Sequence, residues 1–151
     1  MKALQCNCST LRSAARVLSA AYDEALRPTG LKMTQFSILA RLAAVGPITQ
    51  NQFANVLAMD RSTLGRNLRP LQRDKFVRLD IGEDRRERVV DLTAAGRRML
   101  AKAMPLWEEI HQRFEDSFGA AEAVRLRHAL NVVIKVGREL SSQNEDGVDQ
   151  A

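Results

Sequence analysis

Three helix starts of the same construction crowd into 27 residues, and that crowding limits the fold more than any other feature of the chain. Met33-Thr34 with Ile38, Ile48-Thr49 with Phe53, and Met59-Asp60 with Leu64 share one arrangement. Each sets an apolar residue, a capping residue, and a second apolar residue four positions after the cap. A small oxygen-bearing side chain at a helix start accepts from an unpaired backbone N–H, while the apolar pair fixes the angle of entry. Thr49 is followed three positions later by Gln52, the reciprocal partner of a capping box. Three short helices must therefore turn tightly on one another, the last two joined by a few residues around Ala58. Short helix, tight turn, short helix is a helix-turn-helix pattern.

The flanks have other periods. Thr10 to Leu26 carries Leu11, Ala14, Leu18 and Tyr22 on one face, an amphipathic helix ended by Pro28 and Gly30. After Phe76, Val77–Ile81 and Arg88–Leu92 read as short β-strands around the polar stretch Gly82–Glu87, a hairpin whose tip projects into solvent. Thr93 then caps a long helix with Leu100, Met104, Trp107, Ile110, Phe114 and Phe118 along one stripe. Phe118–Ala120 interrupts it, and a final helix follows through Val124, Leu130, Val133, Ile134 and Leu140. Residues 142–151 are polar and acidic, and a flexible tail is expected there. The expected fold is mainly α with a small β-hairpin wing, a single domain over 1–151. Residues 33–93 form the helix-turn-helix and hairpin, and 10–32 and 94–141 form a helical region built from both chain ends. The stripe from Leu100 to Phe118 is large for a chain of 151 residues, and such a surface calls for a second copy of the chain.

Composition narrows the function by exclusion. Residues 1–45 hold six bases and two acids, 46–98 eleven and seven, and 99–151 six and nine, so positive charge sits in the first two-thirds and favours a polyanionic partner there. No run approaches the roughly 18 apolar residues of a membrane span. "MKALQCNC" has no apolar core of a signal sequence, so a cytoplasmic chain with no membrane partner is expected. His111 and His128 have no carboxylate or cysteine at ligand spacing, and neither a metal nor a cofactor is expected. No nucleophile–base pair, phosphate loop or acidic dyad is present, which argues against an enzyme.

The stretch "DRSTLGRNLRPLQR" from Asp60 to Arg73 shows what the third helix presents. Advancing about 100° per residue, Leu64, Leu68 and Leu71 share a narrow sector, the buried face. Ser62, Arg66, Arg69 and Arg73 lie on the opposite side, all within roughly 40° of that side's centre, with Thr63 and Gly65 flanking them. Hydroxyls at the helix start followed by a row of guanidiniums suit a helix lying in a DNA major groove. Arg matches the two acceptors of guanine, and Ser or Thr bonds bases or phosphate. Solvated surface arginines are the plain alternative. The preceding helix start and the charged hairpin favour double-stranded DNA, with Gln50, Asn51, Arg61, Ser62, Thr63, Arg66, Arg69, Arg73, Arg85 and Arg86 as expected contacts. Arg85 and Arg86 at the hairpin tip suit a narrow minor groove. The acids Glu83, Asp84 and Glu87 either neutralise these arginines or hold them for insertion. Pro70 removes one helix hydrogen bond, and a tolerated, mild bend is expected there.

These segments together resemble the MarR family of winged helix-turn-helix regulators. The resemblance covers about residues 10–141. It rests on the ordered series "GLKMTQFSILARL", "GPITQNQFANVLAMDRSTLGRNLRPLQRDKFV" and "EDRRERVVDLTAAGRRML". The D-x-R wing followed by L-T-x-x-G matches Asp84-Arg85-Arg86 and Leu92-Thr93-Ala94-Ala95-Gly96. It implies an obligate homodimer with interleaved terminal helices. It also implies repression from a pseudopalindromic site, relieved by an effector. Lys75 stands where the family usually has glycine, so a looser turn is expected after the recognition helix.

Cys6 and Cys8 lie beside the first helix start, where the helix dipole and Arg12 favour a thiolate. An oxidant or soft-metal trigger at these thiols is one expectation. A small aromatic effector with bystander cysteines is the alternative. A disulfide within Cys-Asn-Cys would close a strained small ring, so oxidation is expected to link across the dimer. A C-x-C thiol oxidoreductase is the reading from another class, and the βαβ context such a motif needs is missing.

Overall fold

The computed structural model describes residues 6–146. Helix α1 spans Asn7–Leu26 and is followed by a 3₁₀ turn, Arg27–Thr29. Helix α2 is Met33–Val45, strand β1 Ile48–Thr49, α3 Gln50–Val56 and α4 Arg61–Arg73. Strands β2 (Val77–Ile81) and β3 (Arg88–Leu92) precede α5 (Ala94–Phe118) and α6 (Ala120–Asp146). The wing is a three-stranded antiparallel sheet in the order β1-β3-β2. Val77 pairs with Leu92 and Ile81 with Arg88, while Ile48 pairs with Val90 on the other edge of β3. Both hairpin strands have the expected bounds. The third strand was hidden because it is two residues long and doubles as the entry to α3.

The helix starts are capped as expected in two of three cases. Thr49 accepts from the Gln52 N–H at 3.3 Å, and Asp60 accepts from the Thr63 N–H at 2.8 Å. Thr34, by contrast, lies inside α2. There the Asp23 carboxylate of α1 accepts from the Met33 N–H at 2.6 Å, and Gln35 Oε1 accepts from the Lys32 N–H at 2.8 Å. An ionised carboxylate satisfies a helix N-terminus better than a hydroxyl does, so the tertiary partner displaces the local one. Helix α1 also starts earlier than expected, at Asn7. The Thr10 N–H and hydroxyl both donate to the Cys6 carbonyl at 3.1 Å, the back-bonding habit of threonine inside a helix.

Through Ile110, one core unites the elements. Leu26, Phe36, Ile38, Leu39 and Leu42 meet Phe53, then Leu64, Leu68 and Leu71 of α4, then Val77, Val90 and Leu92 of the sheet, and Leu100 and Ala103 of α5. The leucine face assigned to α4 is the buried one, and the helix continues through Pro70. Met104 and Trp107 pack against this core, and the Trp107 ring stacks on Phe36 with centroids 5.7 Å apart. The first half of the α5 stripe is therefore covered by its own chain, contrary to the expectation that the whole stripe needs a second copy. Among the described residues the exposed large apolar side chains are scattered at Val17, Leu18, Val45, Val56 and Ile81, and gathered at Phe118 on α5 and along α6, from Val124 through Val132–Ile134 and Val136 to Leu140.

From His111 onward the end of α5 and α6 form a second unit. Phe114 stacks on Phe118, and Glu115 Oε1 lies 2.9 Å from Arg127 Nη1 and 3.4 Å from His111 Nε2. His111 thus does face a carboxylate one helical turn away, which the sequence reading overlooked. Helix α6 continues to Asp146, so the backbone stays helical past residue 142, where a flexible tail was expected. Residues 147–151 of that tail lie outside the described residues.

The L-T-x-x-G motif is a joint. Thr93 donates its N–H to the Phe76 carbonyl at 3.1 Å and its hydroxyl to the Lys75 carbonyl at 2.6 Å, and accepts from the Gly96 N–H at 3.0 Å. A Cβ on Gly96 would stand 2.1 Å from the Phe76 carbonyl oxygen, so only glycine fits. The same joint receives the end of α4. Lys75 is left-handed at φ 60°, its N–H donates to Gln72 at 3.0 Å, and the Phe76 N–H donates to Leu71 at 2.8 Å. That is a complete Schellman closure, so the turn is as tight with lysine as with glycine, contrary to expectation. The cost falls on backbone strain, of order 1–2 kcal/mol for a residue with a Cβ.

Candidate nucleic-acid interface

Helix α4 begins with a polar cluster organised by one acid. Asp60 Oδ1 accepts from the Thr63 N–H and from the Ser62 hydroxyl at 2.6 Å, and Oδ2 accepts from the Thr63 hydroxyl at 2.6 Å. The Ser62 bond, then those of Thr63, hold the Asp60 carboxyl far below the usual carboxylate range. Arg66 Nη2 donates to Thr63 Oγ1 at 3.1 Å. The hydroxyls therefore build the helix start, with their oxygens still turned to solvent, rather than standing as free donors.

The arginine row divides. Among the described residues no ion pair engages Arg61, Arg66 or Arg69, whereas Arg73 Nε lies 3.1 Å from Asp74 Oδ1. Arg73 also stands twelve residues after Arg61, about 18 Å along the helix axis. The open charge belongs to the first two turns and to Arg69.

Helix α3 packs beside α4, with Gln50 next to Gly65. A Cβ there would stand 3.4 Å from Gln50 Nε2. The two helix starts and the wing turn meet at one place. Gln50, Asn51, Arg61 and Arg86 line one cleft with Thr49, Glu87 and Arg88. Its volume is about 10 Å³, room for at most one water, so these side chains form an outward surface rather than enclosing a ligand. Of the ten expected contacts, four meet here and Ser62, Thr63, Arg66 and Arg69 continue along α4. Arg73 and Arg85 are not among the cleft's lining residues.

The acids of the wing have a settled role at Asp84. Its Oδ1 accepts from the Arg86 N–H at 2.9 Å and its carbonyl accepts from the Glu87 N–H at 2.9 Å, closing the turn. No ion pair occupies Arg85 or Arg86 among the described residues. Asp84 shapes the tip and leaves both guanidiniums open. Arg88 was missed as a contributor. It sits at the start of β3, and its Nη1 donates to the Arg85 carbonyl at 3.1 Å and the Glu87 carbonyl at 3.3 Å. The R-R-x-R spacing across the turn was the available signal.

Cys6 is the N-cap residue of α1, Cys8 lies in its first turn, and both are exposed and unbridged. Among the described residues, no group of three or more His, Cys, Asp or Glu side chains is placed to hold a metal ion. No described helix is long and apolar enough to cross a membrane.

A MarR family model matches residues 29–87, which takes in α2, the helix-turn-helix and the wing turn. An uncharacterized HTH-type transcriptional regulator of Bacillus subtilis (strain 168), YwoH, is 30% identical over 110 residues, spanning 70% of this chain and 80% of that protein. The chain belongs to the MarR family. Among solved MarR-like structures, the Mycobacterium tuberculosis transcriptional regulator MosR in complex with DNA is 40% identical, with a TM-score of 0.82, covering 89% of this chain and 97% of the other. A second MosR structure is 38% identical with a TM-score of 0.70, covering 91% and 96%. The fold of this MarR-family regulator is the expected one, mainly helical with a small antiparallel wing.

Proposed function

We propose that this MarR-family regulator binds double-stranded DNA as a homodimer and represses transcription from a pseudopalindromic operator. The observation that carries this reading is the convergence of Gln50, Asn51, Arg61 and Arg86 on one surface. That surface runs into the Ser62–Arg69 face of α4, where among the described residues no carboxylate pairs with the arginines. A groove helix beside a cationic wing needs this geometry, and the counter-charge it lacks is what phosphate supplies. MosR, 40% identical, has been solved with DNA. Dimerisation rests on the apolar residues of α6 that its own chain leaves exposed, from Val124 to Leu140.

The trigger we favour is oxidation of Cys6 and Cys8, because both thiols are exposed in the first turn of α1. With an organic hydroperoxide, one Sγ–Sγ bond forms as the O–O bond breaks. The two thiol protons leave with the products, and the peroxide becomes an alcohol and water. A mobility shift on the chain's own upstream DNA, run reduced and then oxidised, tests both parts. Release by oxidant, recovery with reductant, and persistence of the Cys6→Ser/Cys8→Ser variant on DNA are expected. Non-reducing electrophoresis separates a bond between protomers from one within Cys-Asn-Cys. Release of the double variant as readily as the parent would make the thiols bystanders and favour a small-molecule effector. No shift at all would remove the DNA reading.

A further inference from the structure

We propose that Asp60 sets part of the base preference of α4. It holds the protons of the Ser62 and Thr63 hydroxyls, so that both present acceptors to the major groove and select the exocyclic amino group of adenine or cytosine. The inference rests on α4 being the groove helix and goes on to say what its first turn reads. An ionised carboxylate can only accept, so in each of the two contacts of 2.6 Å the proton belongs to the hydroxyl. A hydroxyl has one proton. Once it is committed to Asp60, what faces outward is lone pairs. Thr63 Oγ1 already receives Arg66 Nη2 at 3.1 Å and keeps one lone pair, whereas Ser62, exposed on the arginine face, keeps two.

In the major groove adenine and cytosine offer amino donors, while guanine and thymine offer O6 or O4 acceptors to a probe at the same depth. A freely rotating serine tolerates either. A serine pinned by Asp60 meets guanine or thymine lone pair against lone pair. The arginines one and two turns later present donors only, which suit guanine. Each half-site should therefore combine guanine opposite Arg66 or Arg69 with adenine or cytosine opposite Ser62.

The test is selection by the full chain from duplexes randomised over roughly two helical turns, comparing the parent with Ser62→Ala and Asp60→Asn. Asparagine caps a helix as well as aspartate, so the α4 start is kept. Its amide nitrogen would replace Oδ2, donate to Thr63 Oγ1 and turn that hydroxyl's proton outward. The parent should favour adenine or cytosine opposite Ser62 by about fivefold, the worth of one hydrogen bond, and likewise at the neighbouring position opposite Thr63. Ser62→Ala should lose the preference at the first position alone, and Asp60→Asn should move the position opposite Thr63 toward guanine or thymine. Enriched parent sites with unchanged base preferences in both variants would overturn this inference and leave DNA binding standing. Failure of the parent to enrich any sequence would overturn both.

Discussion

The two ends of α4 use similar chemistry to opposite purposes. At its start, Asp60, Ser62 and Thr63 satisfy one another and leave hydroxyl oxygens, Arg66 and Arg69 facing solvent. At its end, the Schellman closure at Lys75, the Thr93 hydroxyl and the bare Cα of Gly96 consume every group they offer, with the Phe76 carbonyl in contact with both Thr93 and Gly96. One end has spare hydrogen-bonding and charge. The other is closed by backbone contacts, with no room for a Cβ at residue 96. On the proposed DNA reading, a surface that contacts a partner needs the first condition, and the joint beneath it needs the second. The D-R-S-T and L-T-x-x-G motifs are thus equally recognisable and differently employed.

That contrast predicts which changes act on stability and which on binding. Gly96→Ala should have the largest effect, about 3 kcal/mol of lost stability, because its Cβ would meet backbone oxygen that cannot yield. Urea unfolding measures it, and a midpoint like the parent's would show that the joint is looser than described. Thr93→Ala should cost about 1–2 kcal/mol in the same assay through the lost cap on Gly96 and the lost hydroxyl bond to the Lys75 carbonyl. Replacing Arg85 and Arg86 with alanine should leave unfolding unchanged and lower the salt slope of DNA binding by up to about 2, one phosphate for each arginine. An unaltered slope would take the wing off the DNA. Smallest, and of opposite sign, Lys75→Gly should raise stability by about 0.5–1 kcal/mol. Removing the left-handed strain outweighs the extra freedom of glycine in the unfolded chain.

Much of this was legible beforehand because it was local. Thr49 and Asp60 cap the helices they precede, Leu64, Leu68 and Leu71 are spaced for one buried face, and both long wing strands show β-type residues. What stayed hidden depends on partners distant in the chain. Thr34 yields its expected role to Asp23, ten residues before the N–H that Asp23 receives. Strand β1 exists only because β3 lies beside it. Trp107 reads as waiting for a partner until Phe36 is seen beneath it. In the interface, residue types announced the arginines. That Asp84 and Asp60 organise backbone and hydroxyls rather than neutralise guanidiniums required the fold.

On the proposed DNA reading, the outward face of α4 with Arg66 and Arg69 binds the partner, and these two guanidiniums, which make no ion pair among the described residues, contribute nothing essential to the fold. The most direct measurement pairs urea unfolding with DNA affinity for Arg66→Ala and Arg69→Ala. Both variants should unfold like the parent, while each weakens specific binding by about 1–3 kcal/mol if its guanidinium is bidentate to guanine. Parental affinity in both, with the fold intact, would contradict the account.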